Sequence, residues 1–369
     1  MKFTTNTKPL ADALNLAIID SNVSNFYKRS CIAQVSATAD KLKINVESSM
    51  ICTEISISGA GEGEPATAFV DAILFKKLIH TLESNVTFEF DPNGLKIKSG
   101  NSKFTIGNTF GDIVDTTDFS LKTPIFPSDD TEFHNIDLAD WKFIKDNQMY
   151  AISKSFSLPV YTKVWIGENG DVLTGDFDMS LFTHSTKSKL GTTCLLSDTI
   201  INLLNSLPES AQLAKVDNDY IVKFSKDSYT YVTQFTPQYE DNEEIGNYKA
   251  DMIISKLAHP ENSNKVFTGL LTKLLNQALL LKSSSNAYIK LSVKDGCMHL
   301  DDENVHGQIE LDEENSVEYS IKFKLDVLKQ IIANYGDRFI DISPIFGGDR
   351  AVGILVWNEE LTTMFAGAE

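Results

Sequence analysis

Three amphipathic helices of one kind recur along the chain, each followed by strand-rich sequence, and this repetition restricts the fold more than any other feature. The stretch 70–84 spaces Val70, Leu74, Leu78 and Leu82 four apart on one face. The stretch 196–210 presents Ile200, Leu203, Leu204 and Leu207 behind Ser197 or Asp198 as N-cap. The stretch 323–337 presents Leu325, Leu328, Ile331 and Ile332, with Gly336 as the C-cap signal. A strand pair is predicted after each, at 86–107, 211–235 and 338–357. An earlier helix is predicted at 8–21, 138–153 and 268–283. Runs rich in Val, Ile, Thr and Tyr fill the gaps, at 31–37, 41–47 and 51–58, then 160–166, 171–175 and 180–187, then 287–293, 297–300, 305–310 and 316–322. Helix, strands, helix, strands, three times over, predicts an α+β fold of three similar domains, 1–125, 126–246 and 247–369. Polar connectors fall at 115–132 and 236–247.

The 369 residues carry a net charge of −18, which taken alone argues against nucleic acid. That charge is uneven, −2 over 1–125, −10 over 126–246 and −6 over 247–369, so a locally basic surface remains compatible with it. No apolar run reaches the roughly 18 residues of a membrane span. The opening "MKFTTNTKPL" has no apolar centre, and Cys31, Cys52, Cys194 and Cys297 form no C-x-x-C pair. They read as buried thiols of a cytoplasmic protein.

Enzyme chemistry is hard to find. There is no P-loop, H-E-x-x-H, EF-hand loop or G-x-S-x-G, and 59–64 reads as a polar turn. The carboxylates Asp176 and Asp178, and Asp301, Asp302 and Glu303, are candidates for a metal-dependent hydrolase, but they lie in turns where Asp is favoured for backbone hydrogen bonds. No metal or other cofactor is expected. The stretch "GLKIKSGNSKFTIGN" (94–108) alternates like a half-buried hairpin, with Lys96, Lys98 and Lys103 opposite the apolar residues and a Gly-Asn turn.

Several stretches resemble the bacterial DNA polymerase sliding clamp, the β subunit of DNA polymerase III. These are the opening "MKFT", the 94–110 hairpin, the run from Phe143 through "TGDFDMSL" to Ser185, the linker "FTPQYEDNEEI" and the helix "FKLDVLKQI". The turn usual in that family, Thr-Asp-Gly-His-Arg-Leu, is here "TGDFDMSL", and the usual Met-Pro-Met-Arg-Leu-like end is "TTMFAGAE". These departures point to a divergent member with its own partners, of phage or other mobile-replicon origin.

The resemblance implies a homodimeric ring around double-stranded DNA, helices lining the hole and sheets outside. It would be a non-catalytic processivity factor that tethers a polymerase and meets its loader through short peptide motifs. It implies DNA contacts at Lys28, Arg29, Lys76, Lys77, Lys142, Lys145, Lys273 and Lys329. It implies a partner-peptide cleft of Leu173, Thr174, Met179, Leu181, Pro237, Met364 and Phe365. It implies a dimer interface of Phe104 and Ile106 against Leu280 and Leu281. The rival readings are a β-rich structural assembly protein and the hydrolase above.

Overall fold

The computed structural model describes residues 1–18, 32–47, 51–109, 121–125, 128, 130–155, 157–226, 229–239, 246, 248–281, 287–302, 305–311 and 316–367. Along them one order of elements occurs three times: strand, helix, antiparallel strands, helix, three antiparallel strands. The first helices are Thr7–Ala17, Leu138–Asn147 and Thr268–Leu281, and the second are Ala72–His80, Asp198–Ser206 and Leu325–Ala333. The sequence anticipated all six.

Each second helix is followed by three strands where a pair was predicted: Asn85–Asp91, Gly94–Ser99 and Ser102–Gly107 in the first copy. The cause is turn length. The missed break is the two-residue turn Pro92–Asn93 between Asn85–Asp91 and Gly94–Ser99, whereas the Gly100–Asn101 turn, with Gly100 at φ +56°, is the one read from the sequence. The short strands that open each copy, Lys2–Asn6, His134–Asn135 and Asn264–Phe267, and the Ala250–Lys256 helix, were also not anticipated. The polar turn at 59–64 is partly strand, since Ala60–Glu62 pairs with Lys2–Thr4.

Contacts divide the chain into two compact units, Met1–Leu138 with Ser197–Gln238, and Ala139–Leu196 with Tyr239–Glu369. These do not coincide with the three stretches read from the sequence, because hydrogen-bonded ladders cross the copies. In the first unit an eight-stranded sheet is continuous through the pairing of Ile51–Ser58 with Tyr229–Phe235. Its companion is a five-stranded sheet ending at Ser102–Gly107. In the second unit Leu181–Ser185 pairs with Thr362–Ala366, and a separate four-stranded sheet ends at Val305–Glu310. Each unit therefore holds one whole copy and half of the middle one.

The helices form where the sequence caps them. Asp71 accepts from the Leu74 amide at 2.7 Å and Ser197 from the Ile200 amide at 3.3 Å, each worth about 1 kcal/mol. Ile200, Leu203, Leu204 and Leu207 are buried, as are Leu325, Leu328, Ile331 and Ile332. The 70–84 face needs correction. Its helix starts only at Ala72, Val70 belongs to the preceding strand, and the buried stripe is Ala72, Phe75 and Ile79, with Phe75 6.0 Å from Phe88. Leu74 is 52% exposed. Cys52 and Cys194 are buried thiols, Cys297 is half-buried, and Cys31 lies outside the described residues.

Candidate functional site

The lysines implied as DNA contacts sit in unlike surroundings. Lys77 and Lys273 project from their helices into solvent. The Lys76 ammonium instead donates to the Ile18 carbonyl just past the first helix, where it satisfies a terminal acceptor. Lys142 is exposed but paired with Asp146 one turn on, at 2.9 Å. Lys145 and Lys329 are half-buried. Lys28 and Arg29 lie outside the described residues. In the hairpin, Lys96 pairs with Asp91 at 2.6 Å and Lys98 with Glu89, so neighbouring carboxylates neutralise two of its three lysines. These bonds hold both carboxyl groups below the usual range.

Ser102–Gly107 is the edge strand of its sheet. Phe104 is 40% exposed on it, whereas Ile106 is 4% exposed and packs inward opposite Leu95. Leu280 and Leu281, at the end of their helix, are 87% and 66% exposed. Adjacent at the helix end, Leu280 and Leu281 together form an exposed apolar patch. The four-stranded sheet beside that helix also ends on an edge strand, Val305–Glu310.

The seven residues implied for the partner cleft do not share one face. Neighbours along a strand point to opposite sides of a sheet. Leu173, Phe182 and Met364 therefore face one way, in a cluster with Tyr161, Tyr248 and Trp357. Leu181 and Phe365 face the other, against Leu271, Leu275 and Ile332. Thr174 is wholly buried on that second side. Its hydroxyl lies 2.6 Å from Thr183 and donates to the Gln148 carbonyl at 2.9 Å, while the Gln148 side chain accepts from Ser185 at 2.7 Å. Pro237 is buried in the other unit.

The sequence reading missed what does reach the surface beside Leu173. Tyr161 stacks on Phe177 at 5.7 Å and tilts against Tyr248 at 4.8 Å, while Phe177 meets Phe182 edge-on at 6.3 Å. Tyr161 donates to the Tyr248 carbonyl at 3.1 Å, and Tyr248 to the Leu173 carbonyl at 3.0 Å. Burial pushes both phenols above their usual range, so they stay neutral donors. Phe177 is 49% exposed, with Met179 and Leu158 exposed nearby. The visible signal was an aromatic residue between two aspartates in a turn. Gly175 makes the arrangement fit, because a Cβ there would sit 2.3 Å from the Phe182 ring.

The carboxylates considered for a metal are engaged otherwise. Asp176 accepts from the Met179 amide and Asp178 from the Ser157 hydroxyl, Asp301 lies 3.2 Å from His306, and Glu303 lies outside the described residues. Among the described residues no three His, Cys, Asp or Glu are grouped to hold a metal, and no helix is long and apolar enough to cross a membrane.

No protein-family model and no curated protein matches the chain. Solved structures match it along its whole length. The β sliding clamp of Caulobacter crescentus superposes with a TM-score of 0.73 at 15% identity, covering 100% of this chain and 99% of that one. The DNA polymerase sliding clamp of Bacillus subtilis gives 0.71 at 16%, covering 100% and 99%. The Helicobacter pylori β clamp, bound to a DNA ligase peptide, gives 0.68 at 13%, covering 100% of both chains. The chain has the sliding-clamp fold.

Proposed function

We propose that this chain is a DNA sliding clamp, a divergent relative of the DNA polymerase III β subunit that encircles duplex DNA and tethers a polymerase and other partners. The observation that carries this is the sliding-clamp fold over 100% of the chain. In this reading the three copies are three domains, and two chains close a ring in the cytoplasm. Phe104 on the 102–107 edge strand meets Leu280 and Leu281 of the second chain, which supplies the cover that these exposed apolar groups need.

The clamp has no reaction of its own. It holds DNA by closure, aided by lysines that attract phosphate without reading bases. Lys77 and Lys273 are the best placed, being exposed. Lys76, tied to the first helix, contributes field more than contact. With −18 overall, phosphate attraction is weak and topology does the holding. Partners dock over the face of Leu173, Phe182 and Met364, on the side chains exposed above it, Phe177 and Met179; the Helicobacter pylori clamp is likewise solved with a DNA ligase peptide bound.

Loading the protein on nicked circular DNA tests the reading. Linearising the circle should release it, while intact circles retain it. Equal loss from both forms would refute topological binding.

A further inference from the structure

We propose that Ser157–Leu158 and the turn Asp176–Ser180 form a docking surface for a linear peptide segment that sets a lysine or arginine beside its apolar anchor. The proposal rests on the reading of the Leu173 face as a partner cleft and names the chemistry of what enters it.

Two ties make these loops one surface. The Ser157 hydroxyl donates to Asp178 at 3.4 Å, and Tyr161, on the short helix after Leu158, stacks under Phe177. Together they present three exposed apolar side chains, Leu158, Phe177 and Met179, above a buried aromatic floor of Tyr161, Phe182 and Tyr248. An apolar rim on a rigid floor suits an anchor residue.

The same turn carries Asp176 and Asp178 on either side of Phe177. Asp176 accepts from the Met179 amide at 3.1 Å, which fixes the turn, but among the described residues neither carboxylate forms an ion pair. The sequence neighbour Lys154 is exposed and joins neither. Two negative charges flanking Phe177 in one turn, neither ion-paired among the described residues, favour a cationic flank and repel an acidic one.

The probe is a library of random twelve-residue peptides selected on the full-length protein and measured by fluorescence anisotropy. Selected peptides should carry Lys or Arg close to a Leu, Phe or Met. They should weaken about three- to tenfold in the Asp176→Asn, Asp178→Asn double variant at low salt, as two surface ion pairs allow. They should also weaken in Phe177→Ser, with an unchanged circular dichroism spectrum as the folding control. Peptides that depend on Phe177 but lack basic residues, or that ignore the double Asn variant, would overturn the charge assignment and leave the cleft standing. Peptides indifferent to both Phe177→Ser and Met364→Ser would remove the cleft reading as well.

Discussion

Thr53 and Thr233, separated by 180 positions, bring their hydroxyls to 2.8 Å in the middle of a buried strand pair. Thr233 also reaches the Cys52 carbonyl at 3.2 Å, so the pair stitches the first copy to the second half of the middle one. Replacing Thr233 by Val removes the 2.8 Å partner of Thr53, whereas Thr53→Val leaves Thr233 its bond to the Cys52 carbonyl and removes the other. Each single change should cost about 1–2 kcal/mol in urea unfolding, and the double Val variant less than the sum.

Gly175 has no room for a side chain. Gly175→Ala drives a methyl into the Phe182 ring and should cost about 1–3 kcal/mol of stability by thermal denaturation. It should also disturb the Tyr161–Phe177 stack, visible as a changed near-ultraviolet circular dichroism signal.

The proposed dimer seam can be tested without damaging the core. Leu280→Asp with Leu281→Asp should give folded monomers by sedimentation, and so should Phe104→Asp. Ile106 should not be used, because it is buried within its own sheet and an aspartate there unfolds the strand. A persisting dimer in both variants would count against the seam.

Stability should fall in two steps on acidification. His259 stacks on Trp357 at 4.9 Å and bonds Thr362 at 2.8 Å, and burial lowers its pKa from 6.5, with His184 adding to this and Asp341 opposing it. The unfolded chain therefore takes up this proton first. Stability is highest above about pH 6.5 and declines as pH drops below it. Glu360, bonded by Arg338 and Lys187, has its pKa lowered from 4.5, so its contribution is complete above that value and is lost as pH falls through the lowered one. Thermal midpoints against pH should flatten in the first window for His259→Gln and in the second for Glu360→Gln.

The element pattern was legible because helix and strand periods differ, and 41–47 and 51–58 match the observed strands residue for residue. Position on a face was less so. Leu74 read as core because Val70, four residues back, was counted in its helix, yet Asp71 caps a helix that begins at Ala72 and buries Phe75 instead. The residues expected for the cleft divide for a similar reason. Thr174 and Leu173 are adjacent in sequence but lie on opposite sides of a sheet, a separation that a list of positions hides. Leu280 and Leu281 came from the family resemblance and not from periodicity, and the helix end leaves both exposed.

The ladder of Ile51–Ser58 with Tyr229–Phe235 has a consequence for how such a protein can be recombined. The sequence repeat invites exchange at the connectors near residues 125 and 246. A chimaera joined there would inherit half of two sheets from unrelated parents, with seven cross-strand pairs to rebuild at the first junction. Grafting at Leu138, Ser197 and Gln238 leaves that ladder whole. The interchangeable module of this chain is the bonded unit, offset by half a period from the repeat that the sequence displays.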